Sequence, residues 1–167
     1  SLSMSQNPLG LFESVKDYND SSSGSKITIQ LVGSVHSNIL DTIQRLKIQQ
    51  YVSILAYQPH QNAIQILVDS DFIFLVVPNQ DKNKGIIPGK IFEYFKCQSE
   101  IILIGNEKSE AALLTKELGY QNIFEINEKF DFNNLTINQS LDQESTSKFE
   151  RKNLTASLAQ VFDEINA

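Results

Sequence analysis

Two short apolar runs constrain the fold of this 167-residue chain more than any other feature: FIFLVV at residues 72–77 and EIILI at residues 100–104. Strands with apolar side chains on both faces belong inside a parallel sheet that helices cover on both sides. Pro78 ends the first run and Gly105 ends the second. Both are far shorter than the ~20 residues of a membrane-spanning helix. The runs therefore predict two central strands of a parallel sheet.

Strand and helix patterns alternate along the rest of the chain. Alternation of this kind predicts an α/β fold, a Rossmann-like three-layer sandwich in which a parallel sheet has helices on both faces. In such sheets ligands bind beyond the carboxyl ends of the strands. We predict strands at residues 26–32, 52–56, 72–77, 100–104 and 122–126, and helices at 8–18, 38–46, from Pro59 to Val68, and at 88–95, 109–118, 133–141 and 154–165.

Composition excludes several classes of function. The net charge of −6, from 14 basic and 20 acidic residues, disfavours a nucleic-acid or anionic-membrane binder. A single cysteine, Cys97, excludes a disulfide framework and a cysteine-rich metal site. No Asp/Glu/His cluster has the spacing of metal ligands. We expect a cytoplasmic protein, with residues 1–4 a disordered cloning remnant and residues 5–167 one domain.

The segment from Gly85 to Glu93 has the features of a phosphate site. Pro88 suits the first position of a helix, which makes Ile87 the N-cap, and isoleucine has no side-chain acceptor for the first N–H groups. Gly89 keeps the surface open, and Lys90 places a cation in the first turn. An uncapped helix start with a nearby cation is typical of phosphate sites.

Other charged residues nearby support this interpretation, and one alternative remains open. Lys82 and Lys84 add positive charge upstream, and Glu93 lies on the same helix face as Lys90, where it could accept hydrogen bonds from a sugar hydroxyl. Alternatively, the segment is an ordinary solvated helix in which Glu93 pairs with Lys90 or Lys96.

The two histidines and the cysteine also leave alternatives open. His60 stands at a helix start near the expected pocket, or simply bonds locally there. His36 follows Gly33 in a loop at a carboxyl end, as a ligand contact or an exposed loop residue. Cys97 is expected to be a small buried apolar residue.

Several segments resemble GT-B-type glycosyltransferases. PGKIFEYFKCQSEIILIG is similar to the nucleotide-sugar motif of that family, in which a P-x-K-x-x-E-Y segment opens a helix and leads into an apolar strand. KITIQLVGSV and YVSILAYQPHQNAIQILVDSDFIFLVV resemble the family's preceding strand and strand–helix–strand segments. The resemblance extends from about Gln6 to Ile165.

The resemblance implies a donor-binding domain that holds a nucleotide-sugar, with no metal and no other cofactor. Glu93 would bind the ribose, and the backbone at Gly89 and Lys90 the diphosphate. Ala56 and Tyr57 would contact the base. The residues expected to line the site also include Gly33, His60, Gly85, Ile87 and Pro88. The catalytic residues remain unknown.

This sequence departs from the family pattern in two places. Gly85 stands where many retaining members have a glutamate that contacts the sugar. The family's first strand, with its glycine-containing turn, is missing, so we expect a fragment without that strand and without the N-terminal acceptor domain. The acceptor, a glycan or a lipid-linked molecule, and any membrane association would belong to the missing half. The alternatives are a non-catalytic GT-B-like binding module and a nucleotide-sugar epimerase domain.

Overall fold

The structure is a computed structural model that describes residues 2–78, 85–97 and 99–137, together with residues 153, 155 and 159. Strands and helices alternate from the first helix to the last strand. The strands are β1 (Ile29–Val32), β2 (Val52–Leu55), β3 (Phe72–Val76), β4 (Glu100–Ile104) and β5 (Ile123–Phe124). The helices are α1 (Leu9–Ser21), α2 (Ser37–Leu46), α3 (His60–Val68), α4 (Lys90–Lys96) and α5 (Glu110–Glu117), with short 3-10 helices at Met4–Gln6, Gln49–Tyr51 and Phe132–Asn134.

The strands form two parallel ladders. One ladder pairs β1 with β2 and the other has the order β3-β4-β5. The α/β class and the parallel pairing are as predicted, whereas the single continuous sheet is not seen. The reason is that, among the described residues, no strand pairs with both β1 and β3.

Helices cover both faces of the three-stranded ladder. On one face, Val76 and Ile102 pack with Phe12 of α1 and Ile39 of α2 in a core that also includes Leu31 of β1. On the other face, a second core joins the strands to α4 and α5; its buried members include Leu75, Ile91, Phe95, Ile101, Leu103 and Ala112. The first core therefore joins the two ladders, and the layer arrangement is that of a three-layer α/β fold.

Several local predictions require correction. Residues 26–28 are not part of β1, which begins at Ile29. The helical spacing of Ala63, Ile64, Leu67 and Val68 predicts that these residues face inward, but no residue of α3 is buried and Val68 is 49% exposed. The predicted helix at 133–141 is only the 3-10 turn Phe132–Asn134 within the described residues. Leu154, Leu158, Val161, Phe162 and Ile165, the predicted apolar face of the last helix, lie outside the described residues.

The amino-terminal residues are also ordered, contrary to prediction. Leu2 pairs with Val35 in a parallel bridge. Ser3 and Gln6 form a capping box around the first 3-10 helix, because the Ser3 N–H donates to Gln6 Oε1 at 3.0 Å. Hydrophobic contact and backbone pairing hold this segment in place, although its composition gives no sign of it. Within the described part of the chain, no helix has both the length and the apolar character needed to span a membrane.

Candidate functional site

The carboxyl ends of β1 and β3 lie on the same edge of the fold, because the segment from Leu2 to Gln6 contacts both. The Leu2 N–H donates to Ser34 O just after β1, at 3.0 Å. The Gln6 side-chain amide donates to Val76 O at the end of β3, also at 3.0 Å. This edge is where the fold class places ligands.

A set of polar groups surrounds this segment beside β1. The Asn38 side-chain amide donates to Met4 O at 3.2 Å, and the Asn7 amide donates to Thr42 Oγ1 at 2.9 Å. His36 is the N-cap of α2, where its Nδ1 accepts the Asn38 N–H at 3.3 Å. Sequence reasoning missed this group because it forms only once residues 2–7 fold against α2.

The start of α4 differs in detail from the prediction. The Ile91 N–H donates to Pro88 O at 3.0 Å, so the first turn is closed by Pro88, and Gly89 is the N-cap in place of Ile87. Gly89 provides no side-chain cap. The N–H groups of Gly89 and Lys90 come before the first closed turn and have no acceptor within the helix. The expected uncapped helix start is present, two residues later than predicted.

The surface at this helix start is open. A methyl group added at Gly85 or Gly89 would meet no atom within 4 Å. The side chains of Ile86 and Ile87 are 51% and 38% exposed, which makes an apolar rim beside the open backbone. Lys82 and Lys84, the other two cations of the predicted site, lie outside the described residues. The described part of the site is therefore an exposed backbone corner next to Lys90.

Glu93 is exposed one turn beyond Lys90. Within the described residues it forms no ion pair with Lys90 or Lys96 at 4 Å or less, so the interpretation of Glu93 as half of such a pair finds no support in the geometry. Its backbone carbonyl accepts the Cys97 thiol at 3.3 Å.

Tyr94, next to Glu93, is half-buried, and Cys97 at the end of α4 is buried. Burial, with a smaller contribution from the Glu93 charge, raises the pKa of Tyr94 to about 12. The same two causes raise the pKa of the Cys97 thiol. Cys97 is buried, as predicted, and its thiol is neutral at physiological pH, which does not suit a nucleophile. Tyr94 packs against the second core and so helps to anchor α4.

The remaining predicted residues lie in the half of the fold that contains β1 and β2. Gly33 ends β1 with φ of 93°, a left-handed conformation that suits glycine. Ala56 and Tyr57 follow β2, and the Tyr57 side chain is 84% exposed. His60 is the first residue of α3 and is exposed.

In chain order, the ten predicted residues all follow a strand, and they fall into two groups. Gly33, Ala56, Tyr57 and His60 form the first group. The second group is the α4 start, from Gly85 to Glu93. No group of three or more His, Cys, Asp or Glu residues in the described part could hold a metal ion. A shallow depression of about 380 Å³ between α1 and residues 129–133 includes none of the predicted residues.

Comparison with known proteins adds no relative: neither a family model, nor a curated protein, nor a solved structure matches this chain significantly.

Proposed function

We propose that this chain is the nucleotide-sugar-binding domain of a GT-B-type glycosyltransferase of the cytoplasm, one that builds a polysaccharide or glycoconjugate. The observation that supports this most is the start of α4. It combines backbone N–H groups without an intrahelical acceptor, open space at Gly85 and Gly89, the cation of Lys90 and an exposed carboxylate at Glu93. A diphosphate needs the N–H groups, the open space and the cation, and a ribose needs the carboxylate.

In the proposed reaction, an acceptor hydroxyl attacks the anomeric carbon of the donor sugar, and the bond from that carbon to the diphosphate oxygen breaks. The hydroxyl proton passes to the departing diphosphate or to water. Negative charge grows on the departing phosphate oxygen. Fixed N–H dipoles at Gly89 and Lys90, together with the Lys90 ammonium, would stabilise that charge without reorganising. The acceptor, whether glycan or lipid-linked, would bind a second domain, which would also provide any membrane association.

The direct test is a titration of the chain with UDP, GDP and nucleotide-sugars, followed by NMR at each backbone amide. We expect shifts at Gly85 to Glu93 and at Ala56 and Tyr57. Shifts confined to other regions would contradict the proposal.

Two variants sharpen the test. Gly89→Ala has room for its methyl group, so it should leave the melting temperature unchanged while weakening binding of the nucleoside diphosphate, because the methyl group occupies the phosphate approach. Gly24→Ala is the control, since its added methyl group meets only Ser22 Oγ, at 3.9 Å, in a remote loop.

The variant Glu93→Gln tests whether Glu93 binds the ribose. It should weaken binding of UDP or GDP roughly 10-fold or more, the usual effect of losing a hydrogen bond to a charged group, while binding of inorganic pyrophosphate stays the same. Glu110→Gln, a change of an exposed glutamate at the start of α5, serves as the matched control. Equal losses for UDP and pyrophosphate would place Glu93 outside the ribose site.

Gly85 favours one alternative, a binding module without catalysis. In the resemblance, this position is that of a sugar-contacting glutamate, and here it is a glycine with empty space around it. A longer parent protein that binds nucleotide-sugars, yet neither transfers nor hydrolyses the sugar, would support this alternative over the enzyme.

A further inference from the structure

We infer that the outer edge of β2 is a self-association surface, at which a second copy of this chain adds its own β2 in antiparallel orientation. The two-stranded ladders of the two copies then join into one sheet, with a two-fold axis at Ile54. This inference is independent of the proposed function, because it concerns β2 and α2, whereas the proposed function depends mainly on the start of α4.

The outer edge of β2 is identified by its hydrogen bonds. The Gly33 N–H donates to Leu55 O at 2.9 Å, so the backbone groups of Leu55 face β1. Alternate residues of a strand direct their backbone groups to opposite sides, so those of Val52, Ile54 and Ala56 point away from β1. No strand of the described residues pairs with β2 on that side.

Two of these outward groups already have partners within the chain. The Val52 N–H donates to Gln49 O, and Ala56 O accepts the Gln58 side-chain amide at 3.2 Å. The remaining groups are Val52 O, the N–H and O of Ile54, and the Ala56 N–H. None of them bonds to another group within the described residues.

The remaining set is self-complementary in an antiparallel pair. When Ile54 lies opposite Ile54 of the second copy, each Ile54 N–H donates to the Ile54 O across the two-fold axis. Each Ala56 N–H donates to the Val52 O of the other copy in the same register. The pairing therefore satisfies every open group of this edge, and it needs neither of the two groups that have an internal partner.

The side chains beside this edge form an apolar groove. Ile54 on β2 and Leu40 on α2 are 47% and 41% exposed, although both are large apolar residues. The groove between β2 and α2 has a volume of about 240 Å³ and is lined by Leu40, Ile43, Gln44, Gln49, Val52 and Ile54. Directly opposed residues of antiparallel strands project their side chains to the same face, so the two Ile54 side chains would cover each other beside this groove.

The charge pattern favours a copy of the same chain as the partner. The run from Ile48 to Gln58 contains no acidic residue, no basic residue and no proline, in a chain with a net charge of −6. Exposed edge strands of globular proteins are usually protected by a charge or a proline. A two-fold interface brings the same patch of both copies together, so a charge at its centre would meet its own copy and repel it. The uncharged edge of β2 meets that requirement.

Sedimentation equilibrium over a range of protein concentrations tests the inference. We expect the average mass to rise from one copy toward two between about 1 µM and 1 mM, the range of small interfaces. Ile54→Lys should weaken self-association at least about 10-fold, because two lysines would then face each other across the two-fold axis. Leu113→Lys is the matched control, since Leu113 is 49% exposed on α5 and the change of charge is the same.

Two results of this experiment would overturn the inference. One is a chain that remains a single copy at about 1 mM. The other is self-association that Ile54→Lys and Leu113→Lys affect equally, which would assign the contact to another surface. Circular dichroism of both variants would verify that each retains the fold.

Amide hydrogen exchange locates the contact on the chain. We expect the amides of Ile54 and Ala56 to exchange more slowly as the protein concentration rises, and the Ile54→Lys variant to lose this dependence. The Leu55 amide, which faces β1, is the internal control and should change less. Protection of Ile54 that is the same at every concentration would assign the edge to another segment of the same chain, and this would also overturn the inference.

Discussion

At the scale of single residues, the tightest restriction on side-chain size is at Gly10, where two backbone segments approach each other closely. Gly10 lies where α1 meets the loop after β5, and its N–H donates to Ile126 O at 2.9 Å. A methyl group added there would lie 2.0 Å from Glu128 O, far inside any allowed contact. The position is therefore closed to every other residue type without a backbone shift.

We expect Gly10→Ala to lower the free energy of unfolding by about 1–3 kcal/mol, the usual cost of overpacking. Urea denaturation followed by circular dichroism would measure the change. Gly24→Ala is the matched control, because its surroundings are open. Equal stability of the two variants would show that the loop moves away from α1 at little cost.

At the same scale, the raised pKa values of two tyrosines make the stability of the protein depend on pH. Burial raises the pKa of Tyr94 from its ordinary value near 10 to about 12. The unfolded chain then loses this proton at a lower pH than the folded chain, so stability is retained below pH 10 and falls as the pH rises toward 12. Burial also raises the pKa of Tyr120, which acts in the same direction.

Denaturation at a series of pH values between 9 and 12 would measure that fall, with Tyr94→Phe as the comparison. The variant should lose stability less steeply over this interval, because one of the two phenols with a raised pKa is gone. Parallel curves for the two proteins would show that Tyr94 ionises alike in the folded and unfolded states.

At the scale of elements, the two helices that flank β4 begin differently. α5 has a side-chain cap, since buried Ser109 accepts the Ala112 N–H at 3.2 Å. α4 has Gly89 as its N-cap and no side-chain cap. Capping satisfies N–H groups that would otherwise be open to a ligand. The cap closes the start of α5, whereas the proposed function requires the start of α4 to stay open.

Ser109→Ala should cost about 1 kcal/mol of stability through loss of the cap. Ser37→Ala is the control, because Ser37 is exposed and the N-cap of α2 is His36. Thermal unfolding of both variants would check this, and an equal effect would remove the capping explanation.

At the scale of the whole molecule, one core connects the two ladders. Ile39 of α2 belongs to the core that contains residues of β1, β3 and β4. Ile101 of β4 belongs to the second core, which contains residues of the three-stranded ladder and its two helices. Both side chains are fully buried, so they form a matched pair for testing whether the ladders unfold together.

We expect Ile39→Val and Ile101→Val each to lower stability by about 0.5–1.5 kcal/mol. If the shared core makes unfolding cooperative, each variant lowers the opening free energy at Leu31 and at Leu103 by the same amount. Hydrogen exchange at these two amides measures this. A loss at Leu31 alone in Ile39→Val would mean that the ladders unfold independently.

The α/β class, the order of the elements and the position of β4 could be read from the sequence. Continuous apolar runs and helical periodicity report burial directly, and these signals are local. The start of α4 was predicted less well: Pro88 and Ile87 have the right composition for a start, but a 3-10-type bond from Ile91 to Pro88 shifts the cap to Gly89.

For the candidate site, the sequence alone determined which residues stand at carboxyl ends and which of them carry charge. Only the tertiary structure decided that Leu2 to Gln6 joins the ends of β1 and β3, that Glu93 does not pair with its neighbouring lysines, and that the sheet is divided. These outcomes depend on contacts between residues such as Gln6 and Val76, 70 positions apart, and no local pattern encodes such a contact. Periodicity reveals which face of an element is buried. It does not reveal which segment pairs with a strand edge, because that pairing is made by backbone groups that all residues share.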